Sequence, residues 1–149
     1  MTPKALADAC GVAAPQVGAA LDILQRRLEE DGGLQLVEIA GGYQISTKPT
    51  YAELVAQFLS PRKKRLSRAI LETLAVVAYR QPVTLGEIEV VRGVNSDYSV
   101  KALAEMNLVE PVGRKETVGR PILFGTTKQF LHDFNLNKLD DLPPLEVAE

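Results

Sequence analysis

The stretch Leu6-Ala7-Asp8-Ala9-Cys10-Gly11-Val12 returns in pattern as Ile88-Glu89-Val90-Val91-Arg92-Gly93-Val94, 82 residues further along the chain. The same offset aligns Leu21 with Leu103 and Leu24 with Met106. A repeat of this length constrains the chain more than any single motif, because each copy must be a unit of the same local fold. Each copy reads as a short helix, a Gly-Val turn and a second helix, which is helix-turn-helix spacing. Pro15 suits the first turn of the second helix in one copy. Ser96 or Asp97 can cap it in the other, where a side-chain oxygen can accept a free N–H group.

Strand patterns follow both helix pairs. Val37 and Ile39, then Tyr43 and Ile45, alternate with polar residues around Gly41-Gly42, which predicts a tight hairpin. In the second copy Leu108 to Val112 and Pro121 to Phe124 flank a charged loop from Gly113 to Arg120, a hairpin with a broad tip. Pro111 and Pro121 cannot donate to a ladder and belong at edges or strand ends. A closing helix follows each hairpin. The first, capped by Thr50, places Tyr51, Leu54, Val55, Phe58 and Leu59 on one stripe. The second opens at Thr126 or Thr127 and carries Phe130, Leu131 and Phe134.

Only the second copy has an opening helix, Ser67 to Arg80, ended by Gln81-Pro82. It is apolar on two sides, with Ile70, Leu74 and Val77 on one stripe and Leu71, Ala75 and Tyr79 on another. One stripe packs on its own module. The other either joins the same core or needs a further cover. The fold expected is therefore mostly α with small β-hairpins, an α+β chain of two tandem winged-helix modules. Their predicted bounds are 1–60 and 67–135, with a basic linker at 61–66 and an acidic, Pro-containing tail at 136–149.

Charge is unevenly spread along the 149 residues. Residues 1–60 carry four basic and seven acidic side chains, residues 61–135 twelve and eight, and residues 136–149 one and four. Five of the seven residues from Arg62 to Arg68 are basic. The run reads as solvated charge, as a patch for an acidic protein, or as a DNA contact, and Arg62, Lys63, Lys64 and Arg65 with Lys115 on the wing are candidate phosphate contacts. No apolar run approaches the ~18 residues of a membrane span, and the start lacks a signal-peptide pattern, so a cytoplasmic location is expected.

Residues for catalysis are scarce. Cys10 and His132 are the sole representatives of their types, which excludes an internal disulfide and multi-Cys or multi-His zinc sites. Cys10 reads as a small buried thiol, His132 as a packed or surface histidine, and Asp140-Asp141 as a solvated pair. Neither a Gly-rich phosphate loop nor a metal-binding His-Glu pair nor a nucleophile elbow occurs. No enzyme activity and no cofactor are expected. Base-reading residues are also weak, since the helix after Val94 offers Asn95, Ser96, Tyr98 and Lys101 against Asp97 and Glu105.

Four blocks together resemble the bacterial segregation and condensation protein B family: Gly41-Gly42-Tyr43-Gln44, Leu66 to Pro82, Ile88 to Asp97, and Gly113-Arg114-Lys115 with Gly119-Arg120-Pro121 through Thr127. The likeness spans nearly the whole chain. Members usually carry a helix ahead of the segment matching Thr2 to Gly11, and many have a glycine where Tyr98 stands. What the resemblance implies is a non-enzymatic adaptor in chromosome condensation and segregation, cytoplasmic and associated with the nucleoid. It also implies a homodimer formed largely through the first module, for which Tyr51, Leu54, Val55 and Phe58 are the candidate residues. The second module would bind the kleisin subunit, segregation and condensation protein A, and through it an ATPase of the structural-maintenance-of-chromosomes (SMC) class. Leu71, Ala75, Tyr79, Arg114 and Arg120 are the candidates there. The alternative is a winged-helix DNA-binding transcriptional regulator.

Overall fold

Thr2 caps the first helix, α1 (Pro3–Cys10): its hydroxyl accepts the Ala5 N–H at 3.2 Å, and Pro3 needs no N–H partner at that position. The computed structural model describes residues 1–30, 32–59 and 66–145, in two units, Met1–Lys63 and Lys64–Glu149. α1 stops at Gly11, in left-handed backbone at φ 65°, and α2 (Ala14–Glu30) follows with Pro15 in its first turn, as expected. Cys10 is exposed rather than buried. The core under α1 is thin. It covers Ala7 and half-buries Leu6, and stops short of the last helical residue.

β1 (Leu34–Ile39) and β2 (Gly42–Thr47) pair antiparallel with Ile39 opposite Gly42. The turn is therefore Ala40–Gly41, at φ 53° and 72°, one residue earlier than the Gly41-Gly42 of the sequence reading. Two positive φ values in a two-residue loop match the twist of the flanking strands. Gly42 serves a different need. The Met1 carbonyl accepts the Tyr43 N–H at 2.7 Å, and a methyl group on Gly42 would lie 2.8 Å from that carbonyl oxygen. A 3-10 turn (Pro49–Tyr51) leads into α3 (Ala52–Leu59). Thr50 lies inside this turn and is not the cap, because Pro49 starts the helical path earlier, with Lys48 ahead of it.

In the second unit Ser67 caps α4 (Arg68–Arg80), accepting the Ile70 N–H at 3.3 Å. β3 (Val83–Thr84) follows, then α5 (Leu85–Arg92), which begins and ends 82 residues after α1 and also stops on a left-handed glycine, Gly93. α6 (Asp97–Glu105), β4 (Val109–Arg114), β5 (Ile122–Thr126) and α7 (Lys128–Asp133) complete the module. The sheet runs β3-β5-β4, antiparallel throughout. β3 was not foreseen, since two residues show no alternation. Pro111 sits on the edge strand β4, where a missing N–H costs least, and the ladder slips between Pro111 and Gly113.

Leu74, Val77, Ile88, Val100, Leu103 and Phe130 form the core of this unit. Ser96 precedes α6 but does not cap it. It is buried, its hydroxyl donates to the Val94 carbonyl at 3.2 Å, and its N–H donates to Glu89 at 3.0 Å. Thr127 caps α7, accepting the Phe130 N–H at 3.1 Å. Arg92 ties α5 to α4: its guanidinium donates to the Ala69 carbonyl and Glu72 at 2.9 Å and to the Thr73 hydroxyl at 2.5 Å. The described residues are mostly helical with two small antiparallel sheets, in two winged-helix modules. Among the described residues no helix is long and apolar enough to cross a membrane.

Candidate functional site

The two stripes of α4 part company. Leu74 and Val77 are buried and Ile70 packs against them, while Leu71 and Ala75 are exposed and Tyr79 is half-buried. That outward stripe lines a groove of about 240 Å³ with Phe134 of the segment after α7 and with Leu142 and Pro143. The Tyr79 hydroxyl donates to the Pro143 carbonyl at 2.6 Å. The residues after α7 are thus not a free tail where they meet α4. Asp141 shapes them, its carboxylate accepting the Asn137 and Lys138 N–H groups at 3.0 Å each across a 3-10 turn (Leu139–Asp141). Leu142 and Pro143 escaped the sequence reading. Their signal was an apolar Leu-Pro-Pro inside an otherwise acidic segment.

The wing residues stand apart from this groove, and neither Arg114 nor Arg120 lines it. An Arg114 Nη donates to the Arg120 carbonyl at 3.1 Å, which closes the broad hairpin tip. Lys115 is held at 2.5 Å from Glu87, so its charge is already matched. That hydrogen bond, with those from the Thr84 backbone and hydroxyl, pulls the Glu87 carboxyl down to about 2. The other candidate phosphate contacts, Arg62, Lys63, Lys64 and Arg65, lie outside the described residues.

The α3 face is a largely exposed apolar surface of the first unit. Phe58 is 82% exposed, and Leu54, Leu59 and Tyr51 are also open, while Val55 is partly buried. The Tyr51 ring lies over Gly33, where a methyl group would sit 3.4 Å from it. This backbone contact holds one end of the apolar face in place.

The helix-turn-helix surface of the second unit is apolar rather than basic. Val90, Val91, Val94 and Tyr98 are exposed there, and Lys101 is paired with Asp97 at 2.7 Å. A surface of this kind offers few hydrogen-bond donors to base edges or phosphates. His132 is exposed on α7, with its Nδ1 3.4 Å from Asp133. Among the described residues no group of three or more His, Cys, Asp or Glu could hold a metal ion.

The family model of segregation and condensation complex subunit ScpB matches residues 1–145. The chain belongs to the ScpB family. A segregation and condensation protein B of Symbiobacterium thermophilum is 46% identical over 148 residues, covering 99% of this chain and 68% of that protein. That of Moorella thermoacetica is 50% identical over 127 residues, covering 85% and 65%. The chain spans about two thirds of the length of these relatives. ScpB from Mycobacterium tuberculosis, in its crystal structure, is 36% identical, with 91% of this chain and 86% of that chain covered at a TM-score of 0.48. Membership of the ScpB family supports a role in chromosome segregation and condensation.

Proposed function

We propose that this chain is a non-catalytic adaptor of the bacterial condensin-like complex, working in the cytoplasm at the nucleoid. It dimerises through the α3 face and binds the kleisin subunit, segregation and condensation protein A, through the outward stripe of α4, thereby joining an SMC ATPase. The observation that carries the reading is the family match over residues 1–145. Its physical support is the placement of apolar side chains on exposed helix faces, Phe58 on α3 and Leu71 on α4. Large apolar groups left in water at the centre of a patch are the usual anchors of protein interfaces. Arg114 and Arg120 on the wing would contact acidic residues of the same partner beyond the groove.

The test uses the full chain and the kleisin of the same organism. Leu71 is 43% exposed, so Leu71→Asp should leave the melting temperature nearly unchanged and weaken kleisin binding about tenfold or more, as expected for an interface anchor. Unchanged affinity at unchanged stability would move the docking surface off α4.

A further inference from the structure

One wall of the groove beside α4 comes from a distant part of the same chain. Leu142 packs against the core cluster, Pro143 lines the groove, and the Pro143 carbonyl accepts the Tyr79 hydroxyl at 2.6 Å across 64 residues of sequence. The residues ahead are acidic, Asp140 and Asp141, and the turn they form is held by the Asp141 carboxylate on two backbone N–H groups. At the other end Leu71 and Ala75 stay exposed. The segment thus covers the outward stripe of α4 at Tyr79 and leaves it open at Leu71.

We propose that Leu139–Pro143 is an intramolecular ligand of a peptide-binding groove, and that the partner segment taken by this groove has the same chemistry. That segment is extended, carries a leucine-like side chain for the position of Leu142, offers a carbonyl to the Tyr79 hydroxyl, and has acidic residues on its N-terminal side. This rests on the reading that the outward stripe of α4 is a docking face. It adds that the partner must displace the strap to reach Tyr79. A tethered ligand competes at a high effective concentration, so the strap sets a threshold that only a better or longer segment passes.

The probe is a fluorescein-labelled peptide of residues 138–145, Lys-Leu-Asp-Asp-Leu-Pro-Pro-Leu, titrated against the full chain. Wild type, with its strap in place, should bind weakly. Asp141→Ala changes an exposed residue, unfastens the turn and should raise peptide affinity about tenfold or more, because the tethered competitor is loosened. Leu142→Ala should act in the same direction, and if it lowers stability Asp141→Ala decides alone. Adding Tyr79→Phe to Asp141→Ala should reduce the gain. Equal affinity for wild type and Asp141→Ala, or no binding to either, overturns the proposal. Competition with the kleisin separates the two readings. A peptide that binds Asp141→Ala without displacing the kleisin upholds the groove as a peptide site and refutes the kleisin assignment. Kleisin binding with no peptide binding refutes the groove and leaves the adaptor reading standing.

Discussion

Phe58 offers the most direct measurement of what the α3 face is for. Its ring is 82% exposed at the end of a helix whose other apolar residues are also largely open. An aromatic side chain buries roughly 200 Å² when fully covered, so about 160 Å² of Phe58 is available. At ~25 cal/mol per Å² that is worth about 4 kcal/mol. Coverage at an interface is incomplete and ordering costs oppose it, leaving about 2 kcal/mol or more per protomer. A two-fold dimer counts the residue twice. Phe58→Ala should therefore cost about 4 kcal/mol or more of dimerisation free energy, close to a thousandfold in Kd. Sedimentation equilibrium across a concentration series reads this directly. Circular dichroism should be unchanged, because an exposed ring contributes little to the fold of its own chain. The reasoning is refuted if wild type is a well-folded monomer at high micromolar concentration, or if wild type and Phe58→Ala share one dissociation constant.

Arg92→Met should lower the urea stability of the second unit by about 2–3 kcal/mol, since three hydrogen bonds from a nearly buried guanidinium are lost; a loss below about 0.5 kcal/mol would show that the clamp between α4 and α5 is dispensable. Glu87 sets a pH dependence. Its carboxyl is lowered from 4.5 to about 2 in the folded chain, so its contribution is fully present above 4.5 and is lost as pH falls from there through 2. Acid titration of stability should flatten in that window for Glu87→Gln and for Lys115→Met, and an unchanged slope in both would contradict the assignment. Any DNA binding by the full chain should be sequence-independent and vanish as salt rises, because phosphate contacts carry no base information. One preferred sequence surviving random competitor at physiological salt in a gel shift would favour the transcriptional regulator.

Much of the fold was legible because its signals are short-range. The 82-residue repeat placed α1 and α5 correctly, since Gly11 and Gly93 end both helices at the same offset. Thr127, one of two threonines offered as the start of α7, was readable because a cap bonds an N–H only three residues on. Where a local signal had a rival, the reading slipped. Thr50 lost to Pro49, and Ser96 turned its hydroxyl to Val94 while Glu89, seven residues back, took its N–H.

The two stripes of α4 were visible as spacing, and spacing says only that two faces are apolar. Which one became core was decided by α5, α6 and β5 closing over Leu74 and Val77. The partial cover of the other face by Leu142 and Pro143 lay further from reach, because periodicity carries no information about a segment 64 residues away. Apolar burial is non-directional, so a stripe accepts whichever surface the chain path delivers, and that path exists only once the whole module has folded.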